Sequence, residues 1–263
     1  MSHLKGIEVS SYIHPDEKKA WKLITGAVWL KAFLSWAGSI ETRIILKAEL
    51  LGSAVSVTEE KMPELYKSLY TACEVLDYDK KPRVFIVHSA SLRTKLYYDD
   101  TPLIIVPDYM LEQYDSDMLL FEMGRCITQL KKEQCQTEML LLNSVPLLAK
   151  IPGVGSIAVP IVCSWIRKSE LTADRGGLLT CQDHWKAQKA LMRNAGIPAE
   201  LIERDILPEY MKTVKDVNFV TGIVQGINKL YKVTNLSNDR ILELARWYSS
   251  GEYAGIIKKY SCE

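Results

Sequence analysis

Apolar residues recur at helical spacing along most of this chain, and one short stretch breaks that rhythm. Residues 16–37 are strongly apolar through Val28, Leu30, Ala32, Phe33, Leu34 and Trp36, and predict a helix with Pro15 at its first turn. Residues 1–15 read as a short polar or extended lead ending at His14-Pro15. A second helix is expected over 40–51. A third runs to about residue 76, with Glu59, Glu60 and Glu64 around its start and Leu65, Leu69, Cys73 and Leu76 on one face. Between 82 and 107 the pattern turns to β. Residues 83–88 (RVFIVH) and 103–106 (LIIV) are rich in β-branched residues, 95–98 form a middle strand, and Asp99-Asp100 make a turn. Beyond Pro107 the chain reads as helical, over 108–113, 116–134, 136–149, 155–181, 184–194, 198–204, 207–213, 216–232 and 237–248. The strands do not alternate with helices, so the expected class is α+β: a mostly helical domain with a small antiparallel sheet.

Two apolar stretches, 139–149 and 151–166, fall short of the roughly 20 residues that a membrane-spanning helix needs. Pro152, Gly153, Gly155 and Pro160 also interrupt the second. A buried helix and loop is the favoured reading, and a membrane-surface contact through 139–166 the less favoured one. The 263 residues suit one large domain or two small ones. With 33 basic and 32 acidic residues, no bulk charge points to nucleic acid. The six cysteines include no CxxC pair, and the start, MSHLKGIEVSS, has no apolar signal region. Together these features imply reduced thiols and a cytoplasmic protein, membrane-associated only in the less favoured reading.

The chemistry centres on residues 115–131, DSDMLLFEMGRCITQLK, a helix with an acidic cap. At its middle stands Phe121-Glu122-Met123-Gly124-Arg125. In an HExxH helix, two histidines four apart bind zinc and the intervening Glu is the general base. Here the base position, Glu122, is kept, while Phe121 and Arg125 stand at the two ligand positions. A second segment, 165–183 (WIRKSELTADRGGLLTCQD), carries Glu170, Ala173, Asp174, Arg175 and Gly177 in the pattern E-x-x-A-D-R-x-G. These two segments resemble the zinc site of the HtpX-like and CAAX-prenyl-protease-like metallopeptidases, gluzincins of the HExxH…E type. Residues 7–16 and 51–66 are similar to the start of a soluble bacterial branch of that family, and the resemblance covers roughly residues 7–195. It implies a zincin-like domain over 1–200; residues 201–263 lie outside the resemblance and read as a helical extension packed on the same core. It also implies Glu170 at the third ligand position and Asp174 behind it, orienting a ligand.

The departures matter as much as the match. Phe121 has no donor atom, and Arg125 stays protonated and repels a cation. Where relatives carry an Asn-Ala-Phe element near the metal, this chain has Ser89-Ala90-Ser91-Leu92-Arg93. No metal or other cofactor is therefore expected, and the residues lean against an enzyme. The expectation is a pseudopeptidase, with Arg125 pairing with Glu170 and with Glu122 or Asp174. It would bind a peptide or protein along a sheet edge, at 103–106 or 95–98. The alternative is an active zinc metalloendopeptidase using Glu122 with non-standard ligands. His14, His88, His184 and the Cys181–His184 pair form no ligand set by spacing, and no local motif supports a Cys–His nucleophile.

Overall fold

The computed structural model describes residues 1–27, 30, 32, 33, 35, 47, 48, 51–88, 94–98, 100–153, 155–203 and 237–261. Most of the helix expected at 40–51, the helices expected at 207–213 and 216–232, the 89–93 segment, and Val28, Leu34 and Trp36 lie outside the described residues.

The α+β class holds, with helices dominating and, among the described residues, one small sheet. Its strands are β1 (Ala54–Ser56), β2 (Arg83–Val87), β3 (Lys95–Tyr98) and β4 (Pro102–Pro107), in the order β1-β2-β4-β3. The sheet is mixed, which corrects the antiparallel expectation. β2 and β4 run parallel, Phe85 opposite Ile105, while β1–β2 and β3–β4 are antiparallel. The reason lies in β4. All six of its residues are buried, as a strand with partners on both sides and both faces covered requires. β3 therefore sits outside β4 instead of between β2 and β4. One face of the sheet, with Val84, Leu96, Ile104 and Val106, joins the main core. The other gathers Phe85, Tyr97, Leu103 and Ile105 in a cluster of its own.

The helices are α1 (Pro15–Thr25), α2 (Pro63–Val75), α3 (Asp108–Gln113), α4 (Ser116–Lys131), α5 (Cys135–Asn143), α6 (Val145–Leu148), α7 (Gly155–Cys181), α8 (His184–Asn194), α9 (Ala199–Glu203), α10 (Ser237–Ser249) and α11 (Glu252–Tyr260). The helix expected over 136–149 is broken at Ser144, because Pro146 cannot donate the backbone bond that would continue it. α11 and β1 were not predicted. The polar lead is a correction too: Leu4, Ile7 and Tyr12 are core residues. The Leu4 N–H donates to the Val75 carbonyl, and Lys5 N–H to that of Tyr260, so the first residues tie α2 to α11.

α4 is buried from Met118 to Leu130, capped at its start by the Asp115 carboxylate, which accepts from the Met118 N–H at 2.8 Å. Its main partner is α7. The two approach so closely that a Cβ on Gly176 would lie 1.6 Å from Thr128 Oγ1, and one on Gly177 2.6 Å from the Phe121 ring. Most apolar residues of 139–166, including Leu141, Leu148, Val162 and Trp165, pack with Ile24 in a second core cluster. Among the described residues, no helix is long and apolar enough to cross a membrane.

Candidate functional site

The two segments singled out by sequence face each other across the α4–α7 contact. Arg125 lies at the centre of three carboxylates. Its Nε donates to Asp174 Oδ1 at 2.8 Å, its Nη1 to Glu122 Oε2 at 2.7 Å, and its Nη2 to Glu170 Oε2. A planar guanidinium with donors on three sides suits this arrangement, since each carboxylate takes a different edge of the fork. Arg125 is 8% exposed, Glu122 2% and Asp174 1%, while the Glu170 side chain is 20% exposed. Burial works against charge on Arg125, but Glu122, Glu170 and Asp174 outweigh it and hold its pKa well above the ordinary value.

A third helix completes the cluster. Arg240 on α10 donates through Nε to Asp174 Oδ2 at 2.8 Å and through Nη2 to Asp174 Oδ1 at 2.5 Å. Its Nη1 is 3.7 Å from Glu170 Oε2. Arg240 is 2% exposed. Sequence reasoning missed it, although a signal exists: Arg240 is in helical register with the buried Leu244 and Trp247. A charged residue on the apolar stripe of an amphipathic helix asks for a buried partner. The same face carries two further polar contacts. Glu243 Oε2 lies 3.7 Å from His14 Nε2, and the Trp247 ring stacks under the Arg175 guanidinium at 4.9 Å. Asp174 and Arg175, neighbours in the A-D-R pattern, thus grip α10 together.

Phe121 meets α7 one turn further along, at Gly177. It is fully buried in the main core and packs on Gly177, so the position that the resemblance would make a ligand is a packing position. Cys126, next to Arg125, is buried, and burial pushes its thiol pKa far above the usual range. Burial also moves Cys181 up to about 12, which removes it as a thiolate nucleophile near neutral pH. None of the histidines considered joins the cluster as a ligand. His88 pairs with Asp108 at 2.6 Å, and His184 stacks on Tyr248 at 4.3 Å.

A second buried ion network lies at the C-terminal end of α4, around its cap residue Lys132. Lys132 donates to Glu17 on α1 and to Ser169 Oγ at 2.7 Å, and pairs with Glu138 at 3.2 Å. Thr172 donates to the other Glu17 oxygen, and Gln129 donates to the Ser169 carbonyl at 3.0 Å. Glu122, Arg125, Gln129 and Lys132 therefore form one polar seam facing α7.

These residues do not fit zinc. A catalytic zinc takes three protein ligands and leaves one position open for water. Here Phe121 has no donor, Arg125 is a cation, and the carboxylates near it are bonded to guanidiniums. Among the described residues, no group of three or more His, Cys, Asp or Glu side chains is placed to hold a metal ion.

No protein-family model matches the chain, and no solved structure matches it. Among curated proteins it is similar to "Plastoglobule-localized metallopeptidase 48, chloroplastic" of Arabidopsis thaliana. The two are 23% identical over 268 aligned residues, covering 97% of this chain and 77% of the relative. A likeness over nearly the whole chain supports a metallopeptidase family for this protein.

Proposed function

We propose that this chain keeps a metallopeptidase scaffold without metal-dependent hydrolysis and works as a binding or regulatory module for an extended peptide or protein segment. The observation that carries this reading is Arg125, bonded at once to Glu122, Glu170 and Asp174. A guanidinium neutralises carboxylates as a metal does, but it has no open coordination position and does not activate water. Zinc lowers the pKa of bound water from about 15.7 to about 7, and no group in this cluster replaces that step.

The test is metal content and turnover of protein purified without chelator or metal-affinity resin. The expected result is well below one zinc per chain, no rise in unfolding midpoint on adding zinc, and no cleavage of an unfolded protein substrate. One tightly held zinc, with cleavage lost in Glu122→Gln, would overturn the proposal.

Strand addition needs a sheet edge and no metal. The expected edge at 103–106 is corrected: that segment is β4, an inner strand. β3 is an edge, but its Leu96 carbonyl already accepts from Asn143 Nδ2 at 2.9 Å. β1 is the other edge, with Val55 and Ser56 exposed. The Val57 N–H donates inward to the Val84 carbonyl. By antiparallel alternation, Ser56 then turns its N–H and C=O outward. Ser56→Pro removes that outward donor at a position where an edge strand tolerates proline. It is expected to change stability by no more than about 0.5 kcal/mol. Binding of an extended peptide selected on a peptide array is expected to weaken on the order of tenfold. Unchanged binding would remove β1 as the docking edge.

A further inference from the structure

We infer that Arg240 is the second half of the group standing in for a metal, and that with Arg125 it excludes divalent cations from the site. The inference rests on the metallopeptidase-scaffold reading above. A zinc ion would bring two positive charges to this cluster on one centre. Here α4 supplies one charge through Arg125, and α10 supplies the other through Arg240.

The geometry makes Arg240 independent of the HExxH-like helix. It holds both oxygens of Asp174, at 2.8 and 2.5 Å, and stands 3.7 Å from the Glu170 oxygen that Arg125 also uses. If Arg125 were replaced by histidine, a guanidinium would therefore remain against both carboxylates that a metal and its supporting shell would need. Nor can Arg240 easily swing away. It is buried, and its helix is further held on the same face by Glu243 beside His14 and Trp247 under Arg175. Burial opposes its charge, but Asp174 outweighs that cost and keeps it protonated. Restoring the two lost histidines on α4 is thus insufficient to recover a metal site, and the obstacle lies over a hundred residues away in sequence.

The test is calorimetric titration of zinc chloride into two full-length variants, with folding checked by near-ultraviolet circular dichroism. The first carries Phe121→His and Arg125→His, and the second adds Arg240→Met. The expected result is saturable binding of one zinc per chain in the second, with affinity about a hundredfold above the first, the scale of one unit-charge repulsion at short range. If the first variant binds zinc as tightly as the second, the role of Arg240 is overturned and the scaffold reading stands. If both fold and neither binds zinc, the scaffold reading fails and the inference with it. If the histidine variants do not fold, Arg240→Met and Asp174→Asn in the otherwise unaltered chain decide the matter. A guanidinium balancing surplus carboxylate charge predicts that Asp174→Asn costs less in the Arg240→Met chain than in the native one. Additive losses would overturn the inference.

Discussion

Arg125→Met is expected to destabilise the fold by about 3–5 kcal/mol, the range for removing one partner from a buried charge cluster. At this chain length that corresponds to a fall of roughly 10 °C in unfolding midpoint. The cause is what remains behind. Glu122 stays buried without its bond from Nη1, Asp174 is left to Arg240, and Glu170 loses its bond from Nη2. Arg125→Lys keeps the charge but not the fork, so one ammonium cannot meet three carboxylates arranged around a plane. Its cost should be smaller, about 1–3 kcal/mol. Lys19→Met is the control. Lys19 pairs with Asp16 at 3.3 Å with 78% of its side chain exposed, and a pair of that kind contributes about 0–1 kcal/mol. Chemical denaturation of the three variants separates these outcomes. An Arg125→Met loss no larger than that of Lys19→Met would mean that the cluster is not the charge centre of the fold.

Gly176→Ala is expected to cost about 3 kcal/mol, although alanine in place of glycine inside an exposed helix gains up to about 1 kcal/mol. The sign reverses because of Thr128. A Cβ at 176 would stand 1.6 Å from Thr128 Oγ1 and 2.7 Å from its Cβ. A β-branched side chain on a helix has little rotamer freedom to retreat, so α4 and α7 must move apart. That movement would disturb the Arg125–Asp174 and Arg125–Glu170 bonds, which span the same two helices. Adding Thr128→Ala should restore part of the loss but not all of it, since the Cβ of residue 128 remains too close. If Gly176→Ala leaves the denaturation midpoint unchanged or raises it, the close approach of the two helices is refuted.

The sequence by itself determined much of the helical frame and the identity of the central pair. The acidic cap at Asp115, the long apolar run of α4 and the helical register of α2 are local properties, written in neighbours three and four apart. Residues four apart on a helix share a face, so Glu170 and Asp174 could be assigned to one side of α7. The spacing alone placed Glu122 and Arg125 close together on α4. Two features were legible only in part. The LIIV run of β4 announced a buried strand, yet a run buried on both faces does not say which strands flank it, and the mixed pairing followed from the chain crossing β4 to lay β3 outside it. Phe121 stood at a ligand position by motif, while its neighbours were settled by the absence of a Cβ at Gly177.

Arg240 belongs wholly to the tertiary structure. A helix pattern marks it as out of place on an apolar stripe but cannot name its partner, because Asp174 lies 66 residues earlier and the pairing depends on how α10 docks across α7 and α8. The same holds for Lys132, whose partners Glu17, Glu138 and Ser169 come from three other helices. Local rules act over a few residues, whereas a buried charge is satisfied by whatever the packing brings to it. Sequence placed Phe121 and Arg125 where an HExxH helix has its ligands, and the packing decided that two guanidiniums from distant helices hold the carboxylates.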